Sequence, residues 1–207
     1  MHQLSPHSTD GSAARPSAEP FASALRCLLE EAPIGCTQGG GGVAADREAA
    51  LARVTTTLVG RFSLIEALVR LRHHPLAESR PQHGVELNER GSVPHRIPQC
   101  FFGVGPRPDL PIIRRAGDRA AVAVERNQRP GARLAGQLGL AAWCAWATAD
   151  SEVALMRAER ATNHDTNDMF ALILVRWLSL DIRPVWLPDA VGHRSVPGST
   201  NAARMLP

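Results

Sequence analysis

The longest regular pattern in the chain is a set of apolar positions, Leu51, Val54, Leu58, Phe62, Ile65 and Val69, that recur every three or four residues. Side chains so spaced fall on one face of an α-helix, and the pattern predicts helix over about residues 46–73. Asp46 stands ahead of the seam as an N-cap. Two features interrupt it. Gly60 costs about 1 kcal/mol relative to Ala inside a helix, and residues 63–66 have the Ser-x-x-Glu form of a capping box. The region therefore reads as one kinked helix or as two helices with a turn near Gly60. The two-helix form invites a helix-turn-helix reading. Against it, Glu66 falls where that motif packs an apolar residue, and Val59 and Phe62 at the turn are apolar. An amphipathic helix or hairpin with solvated arginines is the simpler account.

Weaker helical spacing precedes and follows the seam. Phe21, Leu25, Leu28 and Leu29 suggest a short helix over 18–31, stopped by Pro33 and Gly35. Residues 38–45 read as a glycine-rich linker within a helical segment 18–73. From 74 to 130 prolines are dense, which disfavours long helices and central strands. This segment reads as irregular, with short extended pieces at 100–104, 110–114 and 119–125 as its only candidates for strand. Helical character returns over 131–188. Residues 132–148 are rich in Ala and Leu, and Asp150 or Ser151 caps a further helix to about Ala161, in which Glu152 and Glu159 are placed to meet Arg157 and Arg160. Residues 163–168 form a polar loop, and 169–180 are apolar on nearly all sides, a buried helix or strand. Residues 1–17 and 189–207 carry the composition of disordered or loose tails. The fold class is mainly α: a small irregular helical domain with a Pro/Arg-rich middle and disordered termini.

Composition narrows the function classes. At 207 residues the chain is long enough for one sizeable core, and its 44% hydrophobic content excludes wholesale disorder. No apolar run reaches the roughly 18–20 residues of a membrane span, and no secretory signal opens the sequence. Cys27, Cys36, Cys100 and Cys144 have long, irregular spacings, which fit free thiols in a reducing, cytoplasmic setting rather than a disulfide or zinc framework.

The charge is mildly basic at +3, but its distribution is uneven. Between residues 90 and 133 there are nine arginines against three acids, whereas residues 134–190 carry an acidic excess. Arg107, Arg114, Arg115, Arg119, Arg126, Arg129 and Arg133 are thus the candidate nucleic-acid or polyanion contacts, because guanidinium forks suit phosphate oxygens. Only Phe101 and Phe102 are available there for base stacking, and a solvated surface is the commoner meaning of such charge. A second candidate is His164 with Asp165 and Asp168, whose imidazole and carboxylates suit a divalent metal and hence a metal-dependent hydrolase. One loop supplies too few ligands, and a capping role ahead of Met169 explains the same residues. A nucleophile elbow, a Walker motif and a dinucleotide fingerprint are all lacking, so enzyme activity has no support from motifs, and no cofactor is expected. The apolar seam from Leu51 to Val69 is a candidate docking face for a partner protein.

One compositional fact stands apart. All 23 basic residues are arginine, none is lysine, and tyrosine is absent. Arginine is favoured over lysine where bidentate or stacked contacts form, but not at every exposed position. Exclusion of lysine across all segments points to coding bias in a GC-rich gene. Taken further, the chain could be the translation of an overlapping frame, although the regular seam speaks against it. The sequence thus assigns no biochemical activity.

Overall fold

The computed structural model describes residues 19–30, 41–71, 97–126 and 132–187. Among these the chain is mainly helical: α1 (Glu19–Leu29), α2 (Gly41–Thr55), α3 (Leu58–Arg70), α4 (Leu110–Arg126), α5 (Ala132–Ala147), α6 (Ser151–His164) and α7 (Met169–Ser179). No strand occurs among the described residues. The expected tails, the proline-rich stretch 72–96 and Cys36 lie outside them.

The seam splits into two helices, and the break falls earlier than Gly60. Helix α2 ends at Thr55, and Thr57 caps α3 by accepting a hydrogen bond from the Gly60 amide at 3.0 Å. Gly60 lies in the first turn of α3, where a Cβ would come within 2.0 Å of the Val54 carbonyl oxygen. Its role is close approach rather than a hinge. Residues 63–66 lie inside α3 and start no helix. Asp46 likewise lies within α2, which begins at Gly41 inside the stretch expected as a linker.

The largest departure is α4. The stretch expected as irregular or extended over 110–126 is a helix of 17 residues. Its buried positions, Ile113, Ala116, Gly117, Ala120, Ala123 and Val124, have helical spacing. Proline density misled because Pro111 occupies the first turn, where a missing N–H costs nothing. Asp109 accepts from the Ile112 amide at 3.2 Å and so acts as the cap. Residues 99–102, overlapping the piece read as extended over 100–104, form a 3-10 turn closed by Gly103 in the left-handed region at φ 72°.

Helix α5 is the centre. Its residues from Leu134 to Ala147 are all buried, and α4, α6, α2, α7 and α3 pack around it. Small residues let the backbones approach: a Cβ on Gly117 would stand 2.6 Å from Cys144 Cβ, and one on Gly136 would stand 2.2 Å from the Thr55 carbonyl oxygen. Helix α6 is capped by Asp150 and α7 by Asp168, both through side-chain carboxylates. The expectation that 169–180 was helix or strand resolves to helix.

Two helices end alike. The Asp150 amide donates to Ala145 O and the Ala149 amide to Trp146 O, while Ile182 and Asp181 repeat these bonds to Trp177 O and Leu178 O. These are Schellman ends with Ala149 and Asp181, at φ 67° and 52°, where glycine is usual.

Aromatic residues are few but concentrated. Phe62, Phe101, Phe102, Phe170, Trp143, Trp146 and Trp177 form a connected set of ring contacts. Indole N–H groups tie irregular chain to α5: Trp143 donates to Phe101 O, Trp146 to Ile182 O, and Trp186 to Ala147 O. The segment 182–187 crosses the 99–103 turn, where the Val185 amide donates to Gly103 O at 2.9 Å. A Cβ on Gly103 would meet Pro184 Cα at 2.5 Å, so glycine is required there twice over, by space and by φ.

Candidate functional site

The candidate polyanion contacts divide by helical geometry. Arg114 and Arg115 are exposed on the outer face of α4, with Arg107 exposed ahead of the helix and Arg133 exposed at the start of α5. Arg119 is half-buried, and Arg129 lies outside the described residues. Residues 115, 119 and 126 share one edge of the exposed arc, while 114, 118 and 125 share the other. The second edge carries Asp118 and Glu125, so the outer face of α4 is mixed in sign.

Each edge meets an opposite charge on a neighbouring helix. Arg126 donates to Glu48 of α2 at 3.1 Å, and Asp118 accepts from Arg157 of α6 at 2.9 Å. Arg157 also reaches the Ala141 carbonyl of α5 at 3.4 Å, so one guanidinium spans three helices. Its partner is Asp118, not the expected Glu152. Arg47 of α2 pairs with Glu30 just beyond α1. These arginines join helices.

A buried ion pair escaped the sequence reading. Arg61 of α3, only 4% exposed, donates to both Oδ atoms of Asp168 at 2.8 Å. Its guanidinium carbon lies 4.8 Å from the Phe170 ring centroid, a cation–π contact. Asp168 also caps α7 by accepting from the Ala171 amide at 3.0 Å. Gly139 of α5 makes the space, since a Cβ there would press on Arg61 Nη1 and Phe170 Cδ1 at 3.2 Å. The available signals were a polar residue directly ahead of an apolar run and an arginine inside one.

This pairing removes Asp168 from the proposed metal loop. His164 is exposed at the end of α6, and Asp165 accepts from the Asn167 amide at 3.0 Å, closing the loop on itself. Among the described residues no group of three or more His, Cys, Asp or Glu side chains converges as a metal site.

The thiols among the described residues, Cys27, Cys100 and Cys144, are held in a poorly nucleophilic state. Burial pushes Cys144 up to about 12. It pushes Cys100 up to about 11, with help from Glu66. Burial and then Glu48 raise Cys27 to about 11, against the opposing pull of Arg119, Arg47 and Arg126. Reactivity needs the thiolate, and these environments oppose it at neutral pH.

The seam offered as a docking face is turned inward. Leu51, Phe62, Ile65 and Val69 are buried in the main core, and Val54 and Leu58 pack half-buried against it. A small cavity of about 80 Å³ lies at the start of α6, lined by Trp146, Ala149, Ser151, Arg183, Pro184 and Leu187. Gln137 of α5 is fully buried, and neither atom of its amide has a partner. Among the described residues no helix is long and apolar enough to cross a membrane. No family model, curated protein or solved structure matches the chain.

Proposed function

We propose that the chain is a non-catalytic helical module that acts by association, and that its arginines serve the fold. The observation that carries this reading is the use of guanidinium groups as ties between helices. Arg61 joins α3 to α7, Arg126 joins α4 to α2, and Arg157 joins α6 to α4. Coding bias accounts for the absence of lysine, and the placement of these arginines is structural. The matched carboxylate caps, the glycines at close crossings and the buried ion pair support a chain selected for folding rather than an overlapping-frame accident. Substitution rates by codon position test that point, and an unconstrained frame overturns it.

A polyanion-binding reading draws on Arg107, Arg114 and Arg115, exposed together ahead of Asp118. Titration with DNA and RNA across salt concentrations decides between the two. Phosphate contacts give affinity that falls by a slope of about −0.9 per contact on duplex DNA. The module reading expects no such binding at low salt, and a steep slope that is lost in Arg114→Gln and Arg107→Gln variants overturns it.

A further inference from the structure

Among the described residues most large apolar side chains are covered, but several that are not belong to segments joined to one another by tertiary contacts. Phe102 and Val104 flank Gly103, whose carbonyl accepts from the Val185 amide, so Val185 stands beside them. The Phe102 ring lies tilted against Trp177 with centroids 5.7 Å apart, and the Leu180 and Ile182 amides both donate to Trp177 O. Phe102, Val104, Leu180, Ile182 and Val185 are thus exposed apolar side chains on segments that these contacts bring together, and Val185 is 73% exposed. Grouping of this kind marks an interaction surface more often than chance exposure does.

We propose that a second copy of this chain docks on this face about a two-fold axis near Ile182. The proposal rests on the association reading above and names the partner. Its support is the charge pattern of the segment, in which Asp181 and Arg183 flank Ile182 and are 74% and 56% exposed in their side chains. A two-fold contact apposes each patch with itself. When two such segments run antiparallel across the axis, Ile182 meets Ile182, and Asp181 of each copy faces Arg183 of the other. A patch of a single sign would repel its copy; this one is complementary to itself. Each Arg183 already holds Asp181 of its own chain at 3.0 and 3.3 Å, so pairing makes an alternating ring of four charges. Side chains carry the contact, because the Ile182 amide and carbonyl are engaged by Trp177 and Trp146.

Sedimentation of the full chain at rising concentration tests the pairing. A dimer dissociating at about 1–100 μM is expected for a face of this modest size. Val185→Arg should weaken it at least about tenfold while leaving the thermal melt of the monomer unchanged, since that side chain is largely in solvent. Asp181→Arg and Arg183→Asp should each weaken it, and an equimolar mixture of the two variants should restore it as a heterodimer. A monomer at every concentration overturns the proposal, whether residues 188–207 or a different protein then covers the face. A dimer that ignores all three substitutions overturns it too. Neither result touches the association reading, which salt-dependent polyanion binding would refute.

Discussion

Arginine occupies two opposite environments in this molecule. Where α3, α5 and α7 meet, Arg61 is enclosed, bonded to both oxygens of Asp168, and laid over Phe170. On the outer face of α4, Arg114 is exposed. The side chain and its charge are the same; the surroundings differ in dielectric and in partners. Charge in the interior must be matched because water cannot solvate it, whereas charge outside is screened and replaceable. Position relative to the core, not the number of arginines, therefore sets what each one contributes.

The sharpest way to break this contrast is to remove the buried carboxylate. Asp168→Ala leaves Arg61 enclosed without a counter-charge and α7 without its cap, and should cost about 3–5 kcal/mol in urea unfolding. Replacing both partners, with Arg61→Met and Asp168→Ser, keeps a capping oxygen and removes the stranded charge. That double variant should be much more stable than Asp168→Ala alone, and a double-mutant cycle reads the coupling. If the single and double variants are equally destabilised, the ion pair is not what the junction depends on.

Arg157 occupies the middle of the range, with its side chain 13% exposed but its partner Asp118 59% exposed. Arg157→Ala removes the link between α6, α4 and α5 together with the packing of its aliphatic stem, and should cost about 1–2 kcal/mol by thermal or urea unfolding. Arg126 is 64% exposed in its pair with Glu48. Arg126→Ala should cost about 0.2–1 kcal/mol, and the loss should shrink in high salt. An Arg126 effect that equals the Arg157 effect would break the link between burial and contribution.

Legibility in the sequence follows the same division. The seam from Leu51 to Val69 was readable because large apolar residues define a face without ambiguity, and Asp150 was readable as a cap because capping is local. Helix α4 was not. Its buried face is mostly alanine and glycine, which carry little hydrophobic contrast, and Pro111 signals a break unless it is placed in the first turn. The break after Thr55 was misplaced to Gly60, since a glycine needed for a close approach to Val54 looks the same in sequence as a glycine needed for a turn. The Arg61–Asp168 pair joins residues 107 positions apart. Nothing local in either residue announces the other, so Arg61 passed for a solvated arginine, and Asp168 was legible as the cap ahead of Met169 but not as the partner of Arg61. The exposed apolar side chains had the same obstacle, because Val185 is brought to the 102–104 segment only by the tertiary bond at Gly103.

The smallest effect belongs to Arg114. Gln matches Arg closely in helix propensity, so Arg114→Gln removes the charge without weakening α4 as a helix. Stability should stay within about 0.5 kcal/mol of the parent, as for most exposed substitutions away from caps and buried pairs. Unfolding at low and at high salt reads this directly, because any contribution from an exposed charge must fade as screening increases. A loss of 2 kcal/mol or so that survives in high salt would place Arg114 with Arg61 rather than opposite it. The outer face of α4 would then be covered in the folded protein, and the contrast between interior and surface arginines would have to be redrawn around whatever covers it.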